Sequence, residues 1–86
     1  MGDYWVYVLE LENGKYYVGQ TNDLRRRLRE HREGRSPFTR RNPMRKLVYW
    51  ETFSTRGEAM KREKIIKSGK GREWIQRTLL FYSGRT

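Results

Sequence analysis

Tyr7, Tyr17, Arg27 and the chain's only histidine, His31, all fall within residues 1–33. Together such side chains can serve phosphodiester chemistry. A phenol or an imidazole can take a proton from an attacking water, and a guanidinium can hold a phosphoryl oxygen through its fork of donors. Tyr7 is the candidate proton acceptor, with its pKa expected to be lowered by neighbouring cations. His31 is the rival, because an imidazole titrates nearer neutrality. Tyr17 is expected to orient rather than titrate. Hydrolysis also needs charge stabilisation on the phosphoryl oxygens and help for the leaving oxygen. The candidate metal ligand is Glu63. A lone carboxylate suits one divalent ion, Mg²⁺ or Mn²⁺, that keeps several waters and takes substrate oxygens. A two-metal site would call for more carboxylates.

These residues meet only if particular elements carry them. Tyr4 to Leu11 is rich in aromatic and β-branched residues, Glu12-Asn13-Gly14 turns the chain, and Lys15 to Gln20 runs back. Asn-Gly between two such runs is a hairpin signal. A two-residue loop would pair Glu10 with Tyr17 and put Tyr7 and Tyr17 on opposite faces. A three-residue loop, with Gly14 in the left-handed conformation, pairs Leu9 with Tyr17 instead. Both tyrosines then share a face, because strand side chains alternate with period two. The three-residue loop is the reading adopted.

A helix follows from Asn22 to Glu33, capped by Thr21 or Asn22 and stopped at Gly34. Arg27 and His31 lie four apart beside the Leu24/Leu28 stripe, so both should sit where the helix meets the sheet. Arg25 and Arg26 are expected to point away from that flank. Residues 34 to 45, with Pro37 and Pro43, read as a basic loop. Leu47 to Phe53 is the third strand. A second helix starts at Ser54 or Thr55, with Glu58 completing a capping box, and runs to about Lys67. Ala59, Met60 and Ile66 mark its inner face, and Glu63 lies on that face. Arg72 to Leu80 forms a last helix, buried through Trp74, Ile75 and Leu79. Gly19 reads as a strand glycine that lets another chain or a ligand approach closely.

Composition narrows the function classes. The 86 residues make one domain, 1–86, with an α+β order β-β-α-β-α-α: a three-stranded antiparallel sheet flanked by helices. With no cysteine, neither a disulfide framework nor a thiolate zinc site can hold the fold. No apolar run reaches the ~18 residues of a membrane span and no signal-peptide core is present, so a cytoplasmic protein without membrane association is expected. Twenty Lys/Arg against ten Asp/Glu give a net charge of +10, a field that draws polyanions. Arg25 to Lys46 holds ten of those cations and two acids, Glu30 and Glu33. A basic stripe interleaved with aromatics points to nucleic acid. Arg25, Arg26, Arg35, Arg40, Arg41, Lys70 and Arg72 are the expected backbone contacts.

Trp5-Val6-Tyr7, Tyr17-Val18-Gly19, Asp23-Leu24-Arg25-Arg26-Arg27-Leu28 with His31, and Lys61-Arg62-Glu63 occur in an order and spacing that resembles the GIY-YIG nuclease domain. The resemblance is to its small stand-alone bacterial members, some of them described as relatives of an excision-repair incision subunit. It spans about residues 4 to 75. What it implies is a metal-dependent endonuclease acting on DNA, with RNA not excluded. Tyr7 and Tyr17 match the family's two tyrosines, Arg27 its phosphate-binding arginine, Glu63 its metal-ligating carboxylate, and His31 a histidine of many members. The first triplet lacks the glycine and isoleucine of the family name. No asparagine follows Asn42, whereas many members carry one after the glutamate. The alternatives are a nucleic-acid-binding module with weak or lost catalysis and a basic protein–protein adaptor. Plainer roles stand beside each site residue: Tyr7 as core, Arg27 as a solvated charge, and Glu63 as an ion-pair partner of Lys67 at i+4.

Overall fold

The computed structural model describes residues 3–68 and 71–83, with backbone alone at 72 and 79–83. The elements run β1 (Tyr4–Leu11), β2 (Tyr16–Thr21), α1 (Leu24–Arg32), α2 (Pro37–Arg41), β3 (Met44–Phe53), α3 (Arg56–Lys67) and α4 (Gly71–Ser83). The strands form one antiparallel sheet in the order β2-β1-β3. The α+β architecture is therefore the one expected, with one helix more.

The hairpin closes as its loop length dictates. Leu11 donates its N–H to the Lys15 carbonyl at 2.9 Å, Gly14 donates to Leu11 at 3.0 Å, and Gly14 has φ +85°, a conformation open to glycine at no cost. Leu9 then pairs with Tyr17 and Tyr7 with Gly19, so both tyrosines project from the same face.

Alternation along β1 divides the apolar residues between two layers. Val6 and Val8, fully buried, pack with Val18 against Ala59 and Ile66 of α3 and Ile75 of α4. Tyr7, Leu9 and Leu11 pack on the other face with Tyr17, Leu24, Leu28, Met44 and Leu47. So α1 covers one face of the sheet while α3 and α4 cover the other. Burying both faces of one central strand is an economical way for a chain this short to build a core.

Several boundaries differ from the sequence reading, each for a local reason. Asp23, rather than Thr21 or Asn22, caps α1, its carboxylate accepting the Arg26 N–H at 3.0 Å. Thr21 takes the Asp23 N–H instead, at 3.1 Å. The segment read as a loop contains α2, which opens with Pro37 at its first position, where the missing N–H costs nothing. β3 begins at Met44, three residues before Leu47, because Leu11 extends the ladder to it. Thr55 caps α3, its Oγ1 accepting the Glu58 N–H at 3.2 Å and donating to Glu58 Oε1 at 3.1 Å, a variant of the expected capping box. Met60 faces out, 44 % exposed, whereas Ala59 and Ile66 are buried.

Candidate active site

The cluster grows from β1. Tyr7 is fully buried, and its ring passes directly over Gly19 on β2: a Cβ built on Gly19 would lie 2.6 Å from the Tyr7 Oη and 2.7 Å from Cζ. The close approach at Gly19 is made by the chain's own tyrosine, rather than by another chain or a ligand as expected. Beyond Gly19 the Tyr7 hydroxyl reaches His31 Nε2 on α1 at 2.9 Å. Tyr17 sits alongside, with its ring centroid 6.2 Å from Tyr7 and 5.1 Å edge-on from His31. Phe38 of α2 continues the row at 5.1 Å from Tyr17.

His31 is almost wholly enclosed, yet both ring nitrogens are satisfied. Nδ1 lies 2.9 Å from Thr39 Oγ1, and the Thr39 hydroxyl donates onward to the Ser36 carbonyl at 3.4 Å. With its hydrogen so directed, Thr39 offers Nδ1 a lone pair. On that contact we assign the imidazole proton to Nδ1, so that Nε2 accepts the Tyr7 O–H. Burial and the Arg27 cation, with Glu30 opposing weakly, push the His31 pKa down to about 4. The ring is neutral at physiological pH.

Arg27 occupies the same flank. Its Nη1 donates to Glu30 Oε1 at 2.8 Å, which fixes the guanidinium against the rim, and it lies beside the hydroxyls of Tyr7 and Tyr17. Tyr7 does not carry the lowered pKa expected of it. Burial raises it, Tyr17 adds to the rise, and the opposing pull of Arg27 is too small to reverse it. Enclosing a phenol disfavours the phenolate more than one cation at the rim favours it.

Arg26 does not turn away from this flank as expected. It lies 3.8 Å from Glu30 and lines, with Arg27, Arg56, Gln20 and Thr21, a pocket of about 290 Å³. Arg25 does lie on the far side of α1. Arg35 pairs with Glu33 at 2.9 Å, and Arg40 and Arg41 are exposed on α2. Lys70 and the side chain of Arg72 fall outside the described residues. Sequence reasoning missed Glu30, Thr39 and Arg56. Glu30 stands three residues after Arg27, a spacing that signals a helical ion pair. Thr39 and Arg56 reach the site through tertiary structure alone.

Glu63 comes from the other side of the sheet. It is partly buried on α3, with its Oε2 2.9 Å from Lys67 Nζ one turn on, while the tyrosine cluster packs on the opposite face. The two regions meet around β2, the edge strand: Tyr17, Phe38, Ile66, Lys67 and Ser68 line one pocket of about 400 Å³. Glu63 thus sits one helical turn from the pocket that Tyr17 lines. Among the described residues no group of three or more His, Cys, Asp or Glu side chains converges. A single hard oxygen ligand still fits an ion of the Mg²⁺ type, which retains waters and shares substrate oxygens.

The sequence profile of the GIY-YIG catalytic domain matches residues 3–76. The chain belongs to the GIY-YIG family. A UPF0213 protein of Streptococcus pneumoniae is 42% identical over 67 residues, covering 77% of this chain and 68% of the relative. A UPF0213 protein of the archaeon Haloquadratum walsbyi is 43% identical over 70 residues, covering 79% of each. The solution NMR structure of a UPF0213 protein from Bacillus halodurans superposes with a TM-score of 0.55 at 35% identity, over 88% of this chain and 84% of that one. GIY-YIG membership places the chain in a nuclease family, whose substrate class is nucleic acid. Among the described residues no helix is long and apolar enough to cross a membrane.

Proposed function

We propose that this GIY-YIG protein is a metal-dependent endonuclease that hydrolyses DNA phosphodiester bonds. The observation that carries the reading is the hydrogen-bonded row Tyr7–His31–Thr39 with Arg27 at its rim. A buried tyrosine whose hydroxyl donates to a neutral imidazole is a relay. As the Tyr7 oxygen takes a proton from the attacking water, its own proton passes to His31 Nε2. Neither group needs a standing charge beforehand. On this reading Tyr7 and His31 each carry half of the transfer.

The low His31 pKa looks unfavourable for a proton acceptor, since about 4 is far below neutrality. An incoming phosphate changes that balance. Burial remains the larger cause of the depression, but the phosphate sets negative charge beside Arg27 and offsets the part that this cation contributes. The base then strengthens as substrate arrives. Arg27, held by Glu30, presents its remaining donors to the phosphoryl oxygens, and Arg26 and Arg56 sit where an adjacent phosphate would lie. Glu63 would hold the divalent ion, Mg²⁺ or Mn²⁺, which when bound polarises the phosphoryl group and stabilises the leaving oxygen. Lys67 would release Glu63 as the ion enters.

Glu63→Gln tests the metal role. With Mg²⁺ or Mn²⁺ and a panel of labelled linear, single-stranded, flapped and branched DNA, wild type should cleave and the variant should not. The variant's circular dichroism should be unchanged, and its DNA affinity should hold or rise as a negative charge leaves the site. A variant that cleaves normally would remove Glu63 from the chemistry.

A further inference from the structure

On the sheet face that carries Tyr7, but across α1 from Arg27 and His31, lies a groove of about 620 Å³ that the proposed chemistry does not use. Trp5 of β1 and Trp50 of β3 form its floor, Leu24 and Leu28 of α1 its wall, and Arg25 and Arg32 its rim. The register explains the pairing of indoles. Trp50 lies opposite Tyr7 and Thr52 opposite Trp5, so the two tryptophans are diagonal neighbours on one face. Arg25 and Arg32, seven residues apart, fall on one flank of the helix. Trp50 is 54 % exposed, a large apolar surface left open to water. An acid, Asp23, also lines the groove, but its carboxylate is engaged as the N-cap of α1.

We propose that this groove binds an unpaired nucleotide of the nucleic-acid substrate, its base stacked on Trp50 and its phosphates against Arg25 and Arg32. Charge complementarity selects the occupant: an apolar, flat floor beneath a cationic rim, on a chain of net charge +10, matches a base joined to phosphates. The volume lies in the ordinary range of small-ligand sites. Duplex DNA keeps its base faces stacked inside, so the groove would favour substrates with a single-stranded segment near the cleaved bond. A helix with its side chains is about 10–12 Å across. That span separates the groove from Arg27, so the unpaired nucleotide and the scissile phosphate would be a few nucleotides apart on one strand. The inference rests on nucleic acid being the substrate class, and not on the metal or the proton relay.

The test is binding of a short fluorescein-labelled oligothymidylate and of a duplex of equal length, at fixed salt, with EDTA present so that no cleavage intervenes. Wild type and Trp50→Ala are compared, with Trp50→Phe as the conservative variant. Trp50→Ala should weaken oligothymidylate binding about 5- to 150-fold, the contribution of one base–aromatic stack. Duplex affinity and the salt dependence of both should stay near wild type, and Trp50→Phe should recover most of the loss. Equal weakening of both DNAs, or no change in either, overturns the proposal. So does unaltered oligothymidylate binding together with a dimer, seen by sedimentation, that Trp50→Ala dissociates, since a second copy would then occupy the groove. Wild-type protein that binds neither DNA overturns the nucleic-acid reading along with it. Cleavage that persists while Trp50→Ala binds normally removes this groove alone.

Discussion

Replacing Gly19 by alanine places one methyl carbon 2.6 Å from the Tyr7 hydroxyl oxygen and 2.7 Å from Cζ. Ordinary contacts lie near 3.5–4.0 Å, so something must move by about 1 Å. The neighbour is a rigid ring, fully buried between β2, Leu9 and His31, and the hydroxyl is the end that gives way most readily. A shift of that size takes the 2.9 Å contact to His31 beyond hydrogen-bond length. Misplacing a catalytic group by about 1 Å costs on the order of a hundredfold in rate. The stability change has a diagnostic sign. Gly→Ala at an unstrained strand position would stabilise by about 0.4–1 kcal/mol, whereas overpacking costs about 1–3 kcal/mol. A net loss of roughly 1–2 kcal/mol lowers the Tm of a domain this size by about 4–16 °C. Single-turnover cleavage at 20 °C, well below the transition, separates the two effects, with thermal unfolding followed by circular dichroism. Wild-type Tm and rate would refute the close approach. A lowered Tm with an unchanged rate would show that the position of Tyr7 does not matter to cleavage.

Three further outcomes are expected. Arg27→Ala should slow single-turnover cleavage at saturating enzyme about 10²- to 10³-fold, while Arg25→Ala stays near wild type there; equal losses would reduce α1 to a charged handle. Thr39→Val removes the acceptor that holds the imidazole proton on Nδ1, so cleavage should drop and its pH profile shift while binding holds; an unshifted profile would mean that Thr39 only packs. His31 holds a proton below pH ~6.5 when unfolded but only below about 4 when folded, so the unfolded state binds more protons between those values. Stability therefore falls on acidification through that window. Urea denaturation at pH 7 and pH 4.5 should show wild type losing about 2 kcal/mol more than His31→Gln, and parallel losses would remove the buried-histidine account.

Sequence carried the hairpin and its register because loop length and the Asn13-Gly14 pair are local signals, and register alone decides which face each tyrosine takes. It carried the flank of α1 for the same reason, since Arg27 and His31 are one turn apart. What it could not carry depends on distance along the chain or on burial. Thr39 meets His31 only because a five-residue helix forms between two prolines, in a stretch whose basic composition reads as loop. Arg26 joins Arg27 because both reach for Glu30. The Tyr7 pKa was misjudged in direction, since neighbouring cations are visible in a sequence and enclosure is not. Trp5 and Trp50 are 45 positions apart, and they meet only through the strand order β2-β1-β3.

That strand order puts β3, ten residues long, at an edge of the sheet, a position that invites pairing with another chain. Twice along its length β3 spends an extra residue against β1: Val48 between the Tyr49 and Leu47 pairs, and Arg45 between the Lys46 and Met44 pairs. Each bulge bends and twists the strand, so between Met44 and Val48 a straight incoming strand finds no run of hydrogen-bonding groups in step. Arg45 and Lys46 add charge at the same end, and like charges on a second copy would meet there. The two bulges thus confine the regular part of this outer strand to the five residues from Tyr49 to Phe53, a short template for any incoming strand.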